Sequence, residues 1–232
     1  VLALDARGLL AIVNEVDAET LLGGVVPAET YPAAPAAALQ AQAIAARNQL
    51  LARLGARHVT EPFHLCADTH CQAYAPQKAT PTTSAAVRAT RGRTLVRGGR
   101  LVETLYSASC GGFPADPERA FSAPAALRVL PPADLSSPHR TWCGGASLGA
   151  DRYRWTAPAP SDLEVLERGP DGRVGAVRLA GREHRGDLAV RRALGLRSGL
   201  FSLTPLGPDR TIVGGGFGHG AGMCQVGAIG QA

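Results

Sequence analysis

Three stretches of the chain hold residue types able to do chemistry. The first is GGVVPAE, residues 23–29, an apolar run that delivers one carboxylate, Glu29, just ahead of a long Ala-rich segment. A carboxylic acid among apolar neighbours keeps its proton to higher pH and can serve as a general acid. The position also fits a plainer role, a carboxylate at a helix start favoured by the positive end of the dipole. The second stretch is HLCADTHCQAY, residues 64–74, which places His64, Cys66, His70 and Cys71 close together. Two thiolates and two imidazoles suit tetrahedral zinc, and a site with four protein ligands is structural rather than hydrolytic. His58 competes with His64 for the fourth place, and a Cys66–Cys71 disulfide beside bystander histidines is the alternative.

The third stretch is GGGFGHGAGMCQVGA, residues 214–228. Its glycines leave Phe217, His219, Met223, Cys224 and Gln225 as the side chains able to meet a partner, on a backbone that permits close approach. It lacks the G-K-[ST] of a phosphate loop. A Cys224–His219 nucleophile pair would need an orienting third group that the sequence does not offer. Cys110 and Cys143 each precede Gly-Gly. They read either as a disulfide in an exported protein or as two separate thiols, with Cys224 left over.

The frame that must position these groups is an α+β fold. Two apolar runs around Ala6-Arg7-Gly8 read as a hairpin, followed by a short helix over 18–22 with Asp17 as its N-cap. Residues 35–54 form the most strongly patterned element. Leu39, Ala43, Ala46 and Leu50 recur at helical spacing and Gly55 stops the run. This central Ala-rich helix is expected to pack against mainly antiparallel strands and to carry Gln40 and Arg47 as partners of substrate or of Glu29. A short helix over 83–90, a hairpin turning at Gly98-Gly99 and irregular structure over 114–149 follow. A strand over 174–179, a helix over 187–194 with Asp187 as its N-cap and Gly195 as its stop, and strands near 200–203 and 211–213 complete the pattern. The whole chain reads as one domain, 1–232, with a small α/β subdomain over 158–205 inserted before the glycine-rich motif.

Composition bounds the partners. The 232 residues are 45% hydrophobic and 19% charged, with a formal charge of +5 spread over many arginines. That excess suits an anionic polymer but lacks the dense basic patch of a nucleic-acid binder. No segment resembles a membrane span. The chain begins at Val1 rather than Met, as expected where an upstream signal or anchor has been removed.

Several stretches together resemble one family. VVPAE (25–29), LQAQAIAAR (39–47), LCADTHCQAY (65–74), AVRATRGRTL (86–95), SASCGG (107–112), RRALGLRSGLF (191–201) and GHGAGM-x-Q-x-GA around His219 occur in this order. The set resembles the SpoIID/LytB family of bacterial cell-wall proteins across nearly the whole chain. The resemblance implies a peptidoglycan lytic transglycosylase with Glu29 as its catalytic residue, or an enhancer that binds glycan and stimulates a cell-wall amidase. It also implies zinc at Cys66, His70 and Cys71; His64 is placed as fourth ligand by its nearness in sequence. Tyr106, Ser107, Ser109, His219 and Gln225 are the further candidates for substrate contact, the tail forming the wall opposite Glu29. Cys224 stands where the family commonly has Ser, and Thr30 where Met is common.

Overall fold

The computed structural model of the protein describes residues 1–117, 120, 142–204 and 210–232. The chain divides into two units, Val1–Thr104 with Ala232, and Leu105–Gln231. The division therefore falls at 104/105, and the 158–205 stretch lies inside the second unit. The expectation of irregular structure over 114–149 falls largely outside the described residues.

The first unit opens with the expected hairpin, β1 (Leu2–Leu4) against β2 (Leu10–Ile12). Helix α1 then departs from expectation. Asp17 does cap it, accepting from the Glu19 and Thr20 amides, but α1 runs from Ala18 through Gly23-Gly24 and Pro27 to Glu29. Glycine weakens a helix interior by about 1 kcal/mol per residue, which is why the pattern suggested a stop at Leu22. Burial of Leu22, Val25 and Val26, each 1% exposed or less, offsets that weakness. Gly24 is also fixed by packing: the Tyr74 ring occupies the space a side chain there would need.

Helix α2 spans Ala36–Arg53, bounded by Pro35 and Leu54. Ala38, Leu39, Ala43, Ala46 and Leu50 are buried along it, and these mostly small side chains let α1 and α3 (Pro81–Ala89) pack closely. Helices are thus its main partners. Strands reach it through side chains. Asn48, wholly buried, donates to the Leu95 and Val102 carbonyls and accepts from the Leu95 amide, holding the base of the hairpin β3 (Val96–Arg97) and β4 (Arg100–Leu101).

In the second unit, two antiparallel sheets surround an apolar cluster of Leu163, Val174, Val177, Val190, Leu196, Phe201 and Ile212. One sheet has the order β10 (Phe201–Leu203), β11 (Thr211–Gly215), β6 (Arg154–Pro158). The other has β7 (Glu164–Arg168), β8 (Val174–Leu179), β9 (Arg182–Arg185). The helix Asp187–Leu194 forms where expected and ends at left-handed Gly195, with Gly186 rather than Asp187 at the cap position. A parallel pair, β5 (Tyr106–Ser107) with β12 (Met223–Cys224), leads into the helix Gln225–Gln231. Sheets and helices in these proportions make the chain α+β. No helix among the described residues is long and apolar enough to cross a membrane.

Candidate functional site

Glu29 is the last residue of α1, not the first of the next helix. The favourable-dipole reading of its carboxylate therefore fails, because the C-terminal end of a helix disfavours negative charge. The half-buried carboxyl has its pKa raised above the ordinary glutamate value, chiefly by burial. The Ala73 amide, donating to Oε1 at 2.5 Å, and the positive charge of Arg53 act in the opposite direction.

The segment that supplies the Ala73 amide is pinned at nearly every residue. Arg53 donates to the Cys71 carbonyl at 2.9 Å and to Glu103 at 3.1 Å. The Gln72 side chain donates to the Ala46 carbonyl, and the Tyr74 and Ala75 amides donate to the Ala67 and Gly24 carbonyls. The path of residues 71–75 is thus fixed by α1 and α2 together, and with it the direction from which Glu29 is held.

Immediately before this segment lies the Cys/His group. His58, Cys66, His70 and Cys71 bring one ligand atom each within 4.8 Å of one another. His58 Nε2 lies 3.2 Å from Cys71 Sγ, and His70 Nδ1 lies 3.6 and 3.7 Å from the Cys66 and Cys71 sulfurs. Edges of this length match a tetrahedron of roughly 3.5 Å sides around an ion bound at ordinary metal–N and metal–S distances. The fourth corner is His58 where the sequence reading put His64. The turn after α2 brings His58 back in a left-handed conformation, φ 51°, while His64 is exposed. Asp68 shapes the loop by accepting from the His70 amide and the Cys66 thiol. Burial, with the Cys71 contact next, pushes the Cys66 thiol up to about 11, so a bound cation would displace its proton.

His64 instead lines a cavity of about 650 Å3 between residues 11–16, α1 and the 62–67 loop, with Val13, Leu21, Phe63 and Tyr74 among its walls. Glu29 is not among the lining residues.

Arg47 is committed elsewhere. It is 2% exposed, grips Glu19 with two hydrogen bonds of 2.8 Å and donates to the Arg93 carbonyl. Its role is to lock α1 onto α2 rather than to meet substrate. Gln40 is half-buried on α2.

The second-unit candidates are mostly closed from solvent. Tyr106, Ser107, Ser109 and Gln225 are 8%, 5%, 0% and 5% exposed, which argues against direct substrate contact in this conformation. Ser109 accepts from the Gly111 amide and its backbone pairs with Phe217. His219 is half-buried; its Nδ1 accepts from the Ala221 amide, placing the proton of the neutral ring on Nε2. The glycines of the tail also serve packing. The Trp155 ring lies against Gly214, and the Arg173 guanidinium fills the space beside Gly220, whose φ is +74°. Sequence reasoning missed Arg173. It is 5% exposed and donates to Ser198 and to the Cys110 and Phe113 carbonyls, and only its burial reveals it.

Comparison with known proteins follows this division. Residues 6–96 match the SpoIID family, described as Stage II sporulation protein, so the match contains Glu29 and all four members of the Cys/His group. Residues 148–222 match a domain of unknown function, DUF8618. An uncharacterized protein of Brachyspira hyodysenteriae is 29% identical over 235 residues, covering 96% of this chain. The chain spans 63% of the length of that relative. Residues 6–96, which carry the buried glutamate and the metal-type cluster, are thus the SpoIID-like part of the chain, similar to the family described as Stage II sporulation protein.

Proposed function

We propose that the chain is a peptidoglycan lytic transglycosylase in which Glu29 acts first as general acid and then as general base. The observation that supports this reading is the setting of Glu29, a carboxyl whose pKa burial raises and whose orientation the Ala73 amide holds. In the proposed reaction Glu29 gives its proton to the oxygen joining N-acetylmuramic acid to N-acetylglucosamine, and the C1–O bond breaks. The resulting carboxylate takes the proton from the 6-hydroxyl of the same muramic residue, whose oxygen closes on C1. A 1,6-anhydro ring forms, the leaving sugar keeps the first proton, and Glu29 ends protonated. Hydrolytic glycosidases use two carboxylates because a water or an enzyme nucleophile must be handled. An internal hydroxyl removes that need, so a single acid suffices.

The Cys/His group fits zinc by donor type and spacing, held by His58, Cys66, His70 and Cys71. With four protein ligands the ion would supply rigidity rather than a hydroxide. Cys71 lies two residues before Ala73, so the cluster fixes the loop that orients Glu29. Chelation is expected to lower stability and activity together; activity lost with the melting curve unchanged would point to a hydrolytic metal instead.

The test is mass spectrometry of products from intact and peptide-stripped peptidoglycan. Anhydro-muramic ends are expected. Reducing ends would indicate a hydrolase, and binding without cleavage would favour the second reading, a glycan-binding enhancer of a cell-wall amidase.

A further inference from the structure

A second sulfur cluster lies in the other unit. The three sulfurs of Cys110, Cys143 and Cys224 all fall within 4.8 Å of one another, with Cys110 and Cys143 at 3.7 Å. The residues are 0%, 0% and 8% exposed. We propose that they form a metal site in their own right, a three-thiolate cage for a thiophilic d10 cation, with copper(I) the best fit.

Three features support a cage over a simple cysteine pair. A disulfide needs two sulfurs, whereas here a third, 114 residues from Cys110, converges on the same point. Thiolates around an ion at a metal–sulfur distance of about 2.3 Å stand roughly 3.8–4.0 Å apart, close to the spacing seen. Cys224 Sγ already accepts two backbone hydrogen bonds, from the Cys110 and Gly227 amides, each 3.2 Å. Donors of this kind stabilise a coordinated thiolate and fix its direction.

Ligand type and number select the ion. Thiolates favour copper(I) and zinc among biological cations. Zinc takes four ligands, and no His, Cys, Asp or Glu among the described residues joins these three sulfurs. Copper(I) is satisfied by three. Binding releases three thiol protons and leaves a complex of charge −2. The buried Arg173 guanidinium, which donates to the Cys110 carbonyl at 3.1 Å, places a positive charge beside the cage that it shares with Asp171, 4.0 Å away.

The test is anaerobic titration of the reduced, metal-free chain with copper(I) against a chromophoric chelator. Because the Cys66/Cys71 cluster also takes soft metals, the readout is a difference between proteins. Cys224→Ser keeps an acceptor for the two amides and is expected to bind one equivalent fewer than the wild type. Cys143→Ala should lose the same equivalent and serves where the serine variant melts early. In Cys66→Ser/Cys71→Ser the remaining copper should show three sulfur neighbours by X-ray absorption. Equal copper uptake by wild type and both single variants would overturn the proposal. So would zinc uptake in place of copper(I), or a Cys110–Cys143 disulfide in the isolated protein with no extra equivalent bound after reduction.

Discussion

The two ends of α1 carry one glutamate each, and the fold treats them oppositely. Glu19 lies in the first turn, where the helix dipole welcomes negative charge, and two hydrogen bonds from Arg47 hold its pKa below the ordinary value. Glu29 lies in the last turn, where the dipole opposes charge, and burial holds its pKa above the ordinary value. The same side chain thus gives up its proton more readily at one end and less readily at the other. Residues whose surroundings drive their protonation apart in this way divide between structure and chemistry.

Breaking each end should give a different kind of loss. The largest expected effect is on activity in Glu29→Gln. Release of anhydro ends should fall by about a thousandfold, within the range for removing a general acid, with the melting temperature maintained or slightly raised. Activity within tenfold of wild type would remove Glu29 from the mechanism. Next comes Arg47→Ala, which breaks a part-buried pair and should cost about 2 kcal/mol in urea denaturation, because Glu19 keeps some access to water. Its specific activity, corrected for folded fraction, should stay near wild type; a loss without destabilisation would return Arg47 to the substrate site.

The pH dependence sharpens the contrast further. Stability from a neutral, buried Glu29 is fully present below the ordinary glutamate value and is lost as pH rises through its higher folded-state value. Activity should decline over that same rise. Stability from Glu19 has the opposite sign: present above the ordinary value, and lost as pH falls through its lowered one. Glu29→Gln should therefore flatten the upper limb of a melting-temperature profile and Glu19→Gln the lower limb. The same limb changing in both variants would contradict the assignment. The smallest effect is expected for Gln40→Ala, less than about 0.5 kcal/mol in stability. A large rise in KM there would identify it as a glycan contact.

These two carboxylates also show where sequence reading stops. The helix over 35–54, the caps at Asp17 and Gly195 and the hairpins were legible because caps, glycines and apolar spacing are local signals. The full length of α1 was not, because two glycines and a proline argue against a helix whose reason to exist is tertiary burial. The dipole argument was sound but belonged to Glu19, ten residues upstream. His64 and His58 could not be separated by spacing, since the choice rests on the left-handed backbone at Gly55 and His58 after α2. In the tail, glycines that looked like room for a ligand are filled by Trp155 and Arg173. A run of glycines reports close approach, and its own chain is as good a neighbour as a ligand.

Glu29 is held by a main-chain amide, and this sets where the chain can vary. Any residue except proline at position 73 presents the same N–H, so drift in the side chain there leaves the acid's orientation untouched. Selection acting on that hydrogen bond must instead fall on whatever fixes the loop's course: Arg53, Gly24 beneath Tyr74, and the Cys/His group. Chains sharing this arrangement could therefore diverge freely beside the buried acid while remaining invariant at residues that never touch it.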